Sequence, residues 1–321
     1  NEIGVPMTIL SMEPNTEVLV LEMGMDRPGQ LHALSSLAEP DVAVITMIGE
    51  AHIEFFKTRA KIADAKMEIT DGLKEDGTFI FNGDEPLLVS RAKQVTQSQE
   101  TFGLHPENTL FAHSISGHRN HTEFTVEQWP ELTFSIPIMG EYNVVNALAA
   151  LLVGRRFHVK PEAMQKALVH FQVTANRTQW LIGDVGEQIL SDVYNANPTA
   201  MKAVIHDFSE FQTAGRHIAV LGDMLELGEQ SRALHAGLAD ALDPHEIQEV
   251  YLYGSEMQAL AEALTTKYPQ DQVHYYPLDA KSTMIRDLQN DVGHDDMVLL
   301  KASHGLHLET VLAALVAGGH A

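Results

Sequence analysis

"SDVYNANPTAM", residues 191–201, follows the β-rich "EQIL" and leads into "KAVIHDF", which has helical spacing. Strand, polar corner, helix is the order, and that order decides the fold. Asn197 fits a helix N-cap and Pro198 the first helical position, where a missing N–H costs nothing. Asp192, Tyr194 and Asn195 are left in the corner without a structural role.

The same unit recurs on either side. "TQWLIGDVGEQILSDVY" reads as a hairpin turning at Gly183–Gly186. Strands "HIAVLGD" (217–223), "EVYLYGS" (249–255), "VHYYP" (273–277) and "DMVLLKAS" (296–303) follow, in strand–helix pairs. This pattern predicts a doubly wound α/β domain over residues 175–321. Upstream, "EVLVLEMG" (17–24) and "DVAVITMIG" (41–49) read as buried parallel strands, and "GTFIFNGDEP" (77–86) as a third. "GQLHALSSLA" and "RAKIADAKMEITDGL" have helical spacing between and after the first two. Short strands with polar connectors run from 99 to 138, and two helices, "YNVVNALAALLVGRRF" and "PEAMQKALVHF", complete a first α/β domain over 1–174. The boundary is expected at "VTANR", residues 173–177.

Composition narrows the class. A chain of 321 residues suffices for two domains, each with its own core. No apolar run approaches the length of a membrane span. The N-terminal "NEIGVPMTIL" lacks the basic start and cleavage site of a signal peptide. There is no cysteine, which excludes disulfides, thiolate metal sites and a cysteine nucleophile. Together these favour the cytosol. The net charge of −23 would repel a phosphate backbone, so nucleic acid is excluded as a partner. A small phosphorylated ligand remains possible, held by local cations or a divalent metal.

Open α/β sheets bind ligands beyond the carboxyl ends of their strands. Glu22, His52, Asp84, Asp192, Asp223 and Lys301–Ser303 all fall there. Glu22 and His52, at adjacent strand ends, could share a hard cation such as Mg²⁺; otherwise His52 caps the next helix. Lys66 sits in the apolar stripe of its helix, where an ammonium is costly unless paired. It could snorkel or pair with Glu68 or Asp64. Alternatively it is kept near a cation or substrate, its amine neutral enough to act as a nucleophile or to take up CO₂ as a carbamate. Asn143 and Asn146, one turn apart, could read a base or merely start a helix. Arg177 is a cation at the hinge that could reach a phosphate. "VLGDMLELGEQSRALH" (220–235) is strand, loop and helix without G-x-G-x-x-G. The chain also contains neither G-x-x-x-x-G-K-[ST] nor G-x-S-x-G.

"AHIE", "AKMEI", "GEYNVVNALAA", "SDVYNANPTAM" and "VLGDMLELG", in that order and spacing, resemble the Mur ligases over essentially the whole chain. The nearest branch adds D-alanyl-D-alanine to a UDP-N-acetylmuramoyl tripeptide, and "YNANP" with "LGDMLELG" is the most specific part. The resemblance implies a central ATPase domain followed by a Rossmann-like C-terminal domain. It implies an ATP- and Mg²⁺-dependent amide ligase acting through an acyl phosphate, a cytoplasmic monomer with UDP-MurNAc-tripeptide and D-Ala-D-Ala as its small-molecule substrates. By the same resemblance Glu22, His52 and Lys66, the last carbamylated, form the catalytic metal site. Asn143 and Asn146 line the adenine pocket. Arg177 meets phosphate, and Asp192 the ribose, across the domain cleft. Asn195 lies on the nucleotide side and Lys301 near the incoming substrate.

The sequence departs from the family pattern in places. The family's G-x-x-G-K-T loop and the domain before it are absent from these residues, so this chain alone is expected not to turn over. Gln30, Tyr142 and Ala302 stand where the family usually has Glu, His and Gly. Two alternatives stay open: a related ligase with another amine acceptor, such as a folylpolyglutamate-type or glutamate-adding enzyme, and a non-catalytic nucleotide-binding protein.

Overall fold

A computed structural model of the protein describes residues 1–172 and 177–316. Of the expected boundary 173–177, residues 173–176 lie outside the described residues. The chain forms two compact units: Asn1–Gly117 with Thr122–Ile136 and Glu141–Phe171, and His118–His121 with Pro137–Gly140 and Gln172–Ala321.

The first unit holds a six-stranded sheet in chain order: β1 (Val42–Ile45), β2 (Thr78–Asn82), β3 (Ser98–Gly103), β4 (Leu110–Gly117), β5 (Thr122–Val126) and β6 (Thr133–Ile136). β1 to β4 pair in parallel, and β4–β5–β6 are antiparallel. The sequence accounts for the change. Thr78, Phe79, Ile80 and Phe81 of β2 are all buried, as a strand covered on both faces requires. β5 alternates, turning Thr122, Phe124 and Val126 inward, as a strand with one covered face does. The helix Glu141–Arg156 lies on β2, β3 and β4 and buries Val144, Leu148, Leu151 and Leu152.

One expected strand does not form. Residues 17–24 have no sheet partner, and Val18 and Val20 are exposed. The run keeps the alternation of an extended chain, with Leu21 and Met23 packed on the cluster of Val5, Leu31 and Leu34. A period of two fixes which side chains turn inward. It does not supply a neighbouring edge whose N–H and C=O groups can pair.

The second unit holds β7 (Gln179–Ile182), β8 (Gln188–Asp192), β9 (His217–Gly222), β10 (Glu249–Tyr253), β11 (Val273–Tyr276) and β12 (Met297–Lys301). Their order is β11-β10-β9-β12-β8-β7, parallel except for the β7–β8 hairpin. The central β9 and β12 are buried throughout. As the opening motif predicts, Asn197 Oδ1 accepts the Ala200 N–H at 2.9 Å, and Pro198 starts the helix Pro198–Ser209. That helix buries Met201, Val204, Ile205 and Phe208, one face at helical spacing. Each such side chain stabilises the unit by roughly 2 kcal/mol. Among the described residues no helix is long and apolar enough to cross a membrane.

Candidate functional site

The first unit brings Glu22, His52 and Lys66 to one cavity of about 480 Å³, together with Leu31, Ile45 and Ile62. Lys66 arrives there on the helix Arg59–Met67, which begins where Thr58 Oγ1 accepts the Lys61 N–H and which buries Ile62, Ala63 and Ala65. Its ammonium donates to the Met47 carbonyl at 2.8 Å. Burial pushes its pKa below the ordinary lysine value. The carboxylates that could have paired with it are engaged elsewhere. Glu68 accepts the Gly29 and His32 N–H groups, and Asp64 pairs with Arg91 at 2.6 Å.

His52 precedes the helix Ile53–Phe56 but does not cap it with its side chain. Its backbone is left-handed, with φ 61° and ψ 21°. For a residue with a β-carbon this costs about 1–2 kcal/mol, and such strain gathers at functional sites. Glu22 is exposed, on the extended run rather than at a strand end. A carboxylate oxygen and an imidazole nitrogen suit a hard cation in part. A lysine whose pKa burial lowers would add an oxygen donor if carbamylated. The residues present therefore fit Mg²⁺.

Asn143 and Asn146 stand on the first two turns of the helix Glu141–Arg156, with Asn146 exposed and its Nδ2 3.5 Å from Asn143 Oδ1. Neither lines the cavity of Lys66. Asp84 is a structural residue, since its carboxylate accepts the Leu104 N–H and the Asn108 amide and pairs with His105.

In the second unit the corner after β8 is fixed from beneath. Lys301, 2% exposed at the end of β12, donates to Asp192 Oδ2 at 2.5 Å and to the Asn195 carbonyl at 3.0 Å. The Thr178 N–H lies 3.4 Å from Asp192 Oδ1. Lys301, which the resemblance puts near the incoming substrate, thus holds the corner, because the Asp192 carboxylate beside it gives the ammonium a buried partner. Asn195 is exposed. Tyr194 does not pack into the corner. It is 45% exposed, and the exposed Arg177 guanidinium lies 4.3 Å from its ring centroid. Asp223, buried at the end of β9, accepts the Glu256 and Met257 N–H groups at 3.1 and 2.9 Å. Burial raises its pKa in spite of those two bonds. Gly254, at φ 124°, lets it approach, since a β-carbon there would collide with the Asp223 carboxylate. Sequence reasoning missed His235, which is fully buried and bonded at both ring nitrogens. The available signal was Ser231 and His235 four residues apart on the helix that follows the "GDMLELG" loop.

A cavity lined by Glu22, His52 and Lys66 in one unit, and a polar corner at the strand ends of a doubly wound sheet in the other, are the arrangement of an α/β protein that binds small ligands. Residues 1–154 match the description "Mur ligase middle domain", and residues 176–304 match "Mur ligase, glutamate ligase domain". The chain belongs to the Mur ligase family. It is 40% identical over 316 residues to the UDP-N-acetylmuramoyl-tripeptide–D-alanyl-D-alanine ligase of Bacillus subtilis, covering 98% of this chain and 68% of that protein. The Escherichia coli ligase of the same name is 30% identical, with 99% and 70% covered. Among solved structures, MurF from Acinetobacter baumannii superposes with a TM-score of 0.87 at 26% identity, covering 98% of this chain and 68% of that one. MurF ligase from Thermotoga maritima in complex with ADP gives 0.83 at 28% identity, covering 98% and 70%.

Proposed function

We propose that this protein is an ATP-dependent ligase that joins D-alanyl-D-alanine to the terminal carboxylate of a UDP-N-acetylmuramoyl tripeptide, as a cytoplasmic monomer. The observation that carries the reading is the convergence of Glu22, His52 and Lys66 on one cavity, in a chain so similar throughout to ligases of that name. The carboxylate attacks the γ-phosphorus of ATP, giving an acyl phosphate and releasing ADP. The amine then attacks the acyl carbon, and the tetrahedral intermediate collapses with loss of inorganic phosphate and of the amine proton.

Glu22, His52 and a carbamylated Lys66 would hold Mg²⁺, which when bound neutralises charge on the phosphates. Asn143 and Asn146 offer amides to adenine, Arg177 a cation to phosphate, and Asp192 a carboxylate to the ribose, with Asn195 beside it. Lys301 serves by holding Asp192. The two-domain division at 174/175 assigns the first domain to ATP and the second to ATP and the amine.

In the full-length protein, phosphate release is expected to require ATP, the tripeptide and D-Ala-D-Ala together. Release supported equally by glutamate or lysine as the amine would overturn the choice of acceptor. Nucleotide binding with no release under any amine would overturn the ligase reading.

A further inference from the structure

The loop after β1 brings Gly49, Ala51 and His52 to the cavity of Lys66, and one helix grips that loop twice. The Met47 carbonyl accepts Lys66 Nζ at 2.8 Å. The next carbonyl, that of Ile48, accepts Arg59 Nη2 at 2.8 Å and Nε at 3.3 Å. Arg59 opens the helix Arg59–Met67, and Lys66 stands about two turns further along it, on the same face. Arg59 has a second partner. Its Nη2 donates to Glu85 Oε2 at 2.6 Å, and Glu50 Oε1 lies 3.9 Å from its Nε. Glu85 Oε1 accepts the Leu87 N–H at 3.1 Å and so caps the helix Pro86–Ala92. The fork is thus steadied by a residue just past β2, the strand that pairs with β1. A planar guanidinium, with donors fixed in direction, suits two acceptors at once better than a flexible ammonium does.

The grip bears on His52. A left-handed residue with a β-carbon persists only where its surroundings over-determine it. Downstream, the helix Ile53–Phe56 fixes the chain by burying Ile53 and Phe56. Upstream, the bonded carbonyls of Met47 and Ile48 fix it, with the Ile48 side chain buried. Those two upstream bonds are not equivalent. In the ligase reading Lys66 becomes a carbamate, an anion turned toward a metal, and its hold on Met47 changes with it. Arg59 stays charged at every working pH, so its hold on Ile48 does not.

We propose that Arg59 is a positioning residue, whose fork, steadied by Glu85, anchors the loop after β1 so that His52 lines the cavity of Lys66. The benefit to a bound Mg²⁺ rests on the ligase reading above. The anchor itself does not.

Amide exchange at Ile53 and Phe55 reads the anchor, since their N–H groups bond the Glu50 and His52 carbonyls at 3.1 and 3.0 Å. Arg59→Met should speed exchange at both by about tenfold and leave Leu299 in the second unit unchanged. Unchanged exchange at Ile53 and Phe55 overturns the anchor. Should Arg59→Met not fold, Glu85→Gln decides the matter, because its amide oxygen still caps the Leu87 N–H while the charge facing Arg59 is gone. It should speed the same two amides by about threefold, and unchanged rates overturn the anchor. In the full-length protein, Arg59→Met should raise the Mg²⁺ concentration for half-maximal phosphate release about tenfold. KM for D-Ala-D-Ala should stay within about twofold. An unchanged Mg²⁺ requirement, or an equal rise in KM for D-Ala-D-Ala, overturns the positioning role. Absence of amine-dependent release in the wild type would overturn the ligase reading instead, with the exchange rates still deciding the anchor.

Discussion

Lys66, half-buried in the first unit, and Lys301, fully buried in the second, differ in the partners that their ammonium groups meet. Lys301 meets a carboxylate and a carbonyl and is 2% exposed. Lys66 donates to a carbonyl beside a cavity, and burial lowers its pKa. A buried ammonium with an anionic partner is a structural fixture. One that meets only a carbonyl has its charged form disfavoured by burial, the direction seen at Lys66.

The largest expected effect breaks the first of the pair. Lys301→Met strands the Asp192 carboxylate, and losing one partner of a buried pair costs roughly 3–5 kcal/mol. Urea unfolding of the second unit should show it. A change under about 1 kcal/mol would make the pair ornamental. Next in size is Arg216→Met, which abandons Asp296 and Asp291, now bonded at 2.7 and 3.0 Å, and should cost roughly 3 kcal/mol. This charge cluster lies where β9 and β12 begin, at the end of the sheet opposite the corner. It is therefore expected to weaken the fold while leaving ligand affinity of the folded protein unchanged. Burial lifts the Asp296 carboxyl, but the Arg216 guanidinium and N–H outweigh it and hold its pKa below 3.8. A depressed carboxylate contributes stability above its unfolded value and loses it as pH falls through the folded one. Arg216→Met should therefore also flatten the loss of stability below about pH 4.

The smallest effect concerns Lys66. Its folded pKa lies below 10.5, so the folded state carries a cost while the amine is charged. That cost lifts as pH rises from the folded value toward 10.5. Stability of the first unit should rise across that window in the wild type and stay flat in Lys66→Met. In the same window Lys66 should react with cyanate ahead of the exposed lysines. Equal rates would put it in the class of Lys301.

The sequence made one of these lysines legible and not the other. Lys66 betrays itself by interrupting an apolar stripe four residues after Ile62, a local signal. The partner of Lys301 lies 109 positions away, and nothing local names it. The same limit explains the missed role of Ser303, whose partner is the Leu225 N–H 78 positions away. All six strands of the second unit were readable because each is a short apolar run closed by a polar turn. Their order was not, since adjacency is decided by long-range pairing. Residues 17–24 erred the other way, with a strand's pattern but no partner.

The place of β12 has a consequence for the chain as it is made. β8 and β9 are neighbours in the sequence, yet in the finished sheet β12 separates them. A ribosome adding about 5–20 residues per second delivers β12 some seconds after β9 emerges, whereas strands pair within microseconds once they meet. For that interval the nascent chain holds two hydrophobic edges that must not close on each other. The helix Pro198–Ser209 joins them and in the finished fold packs on β12, the strand that fills the slot.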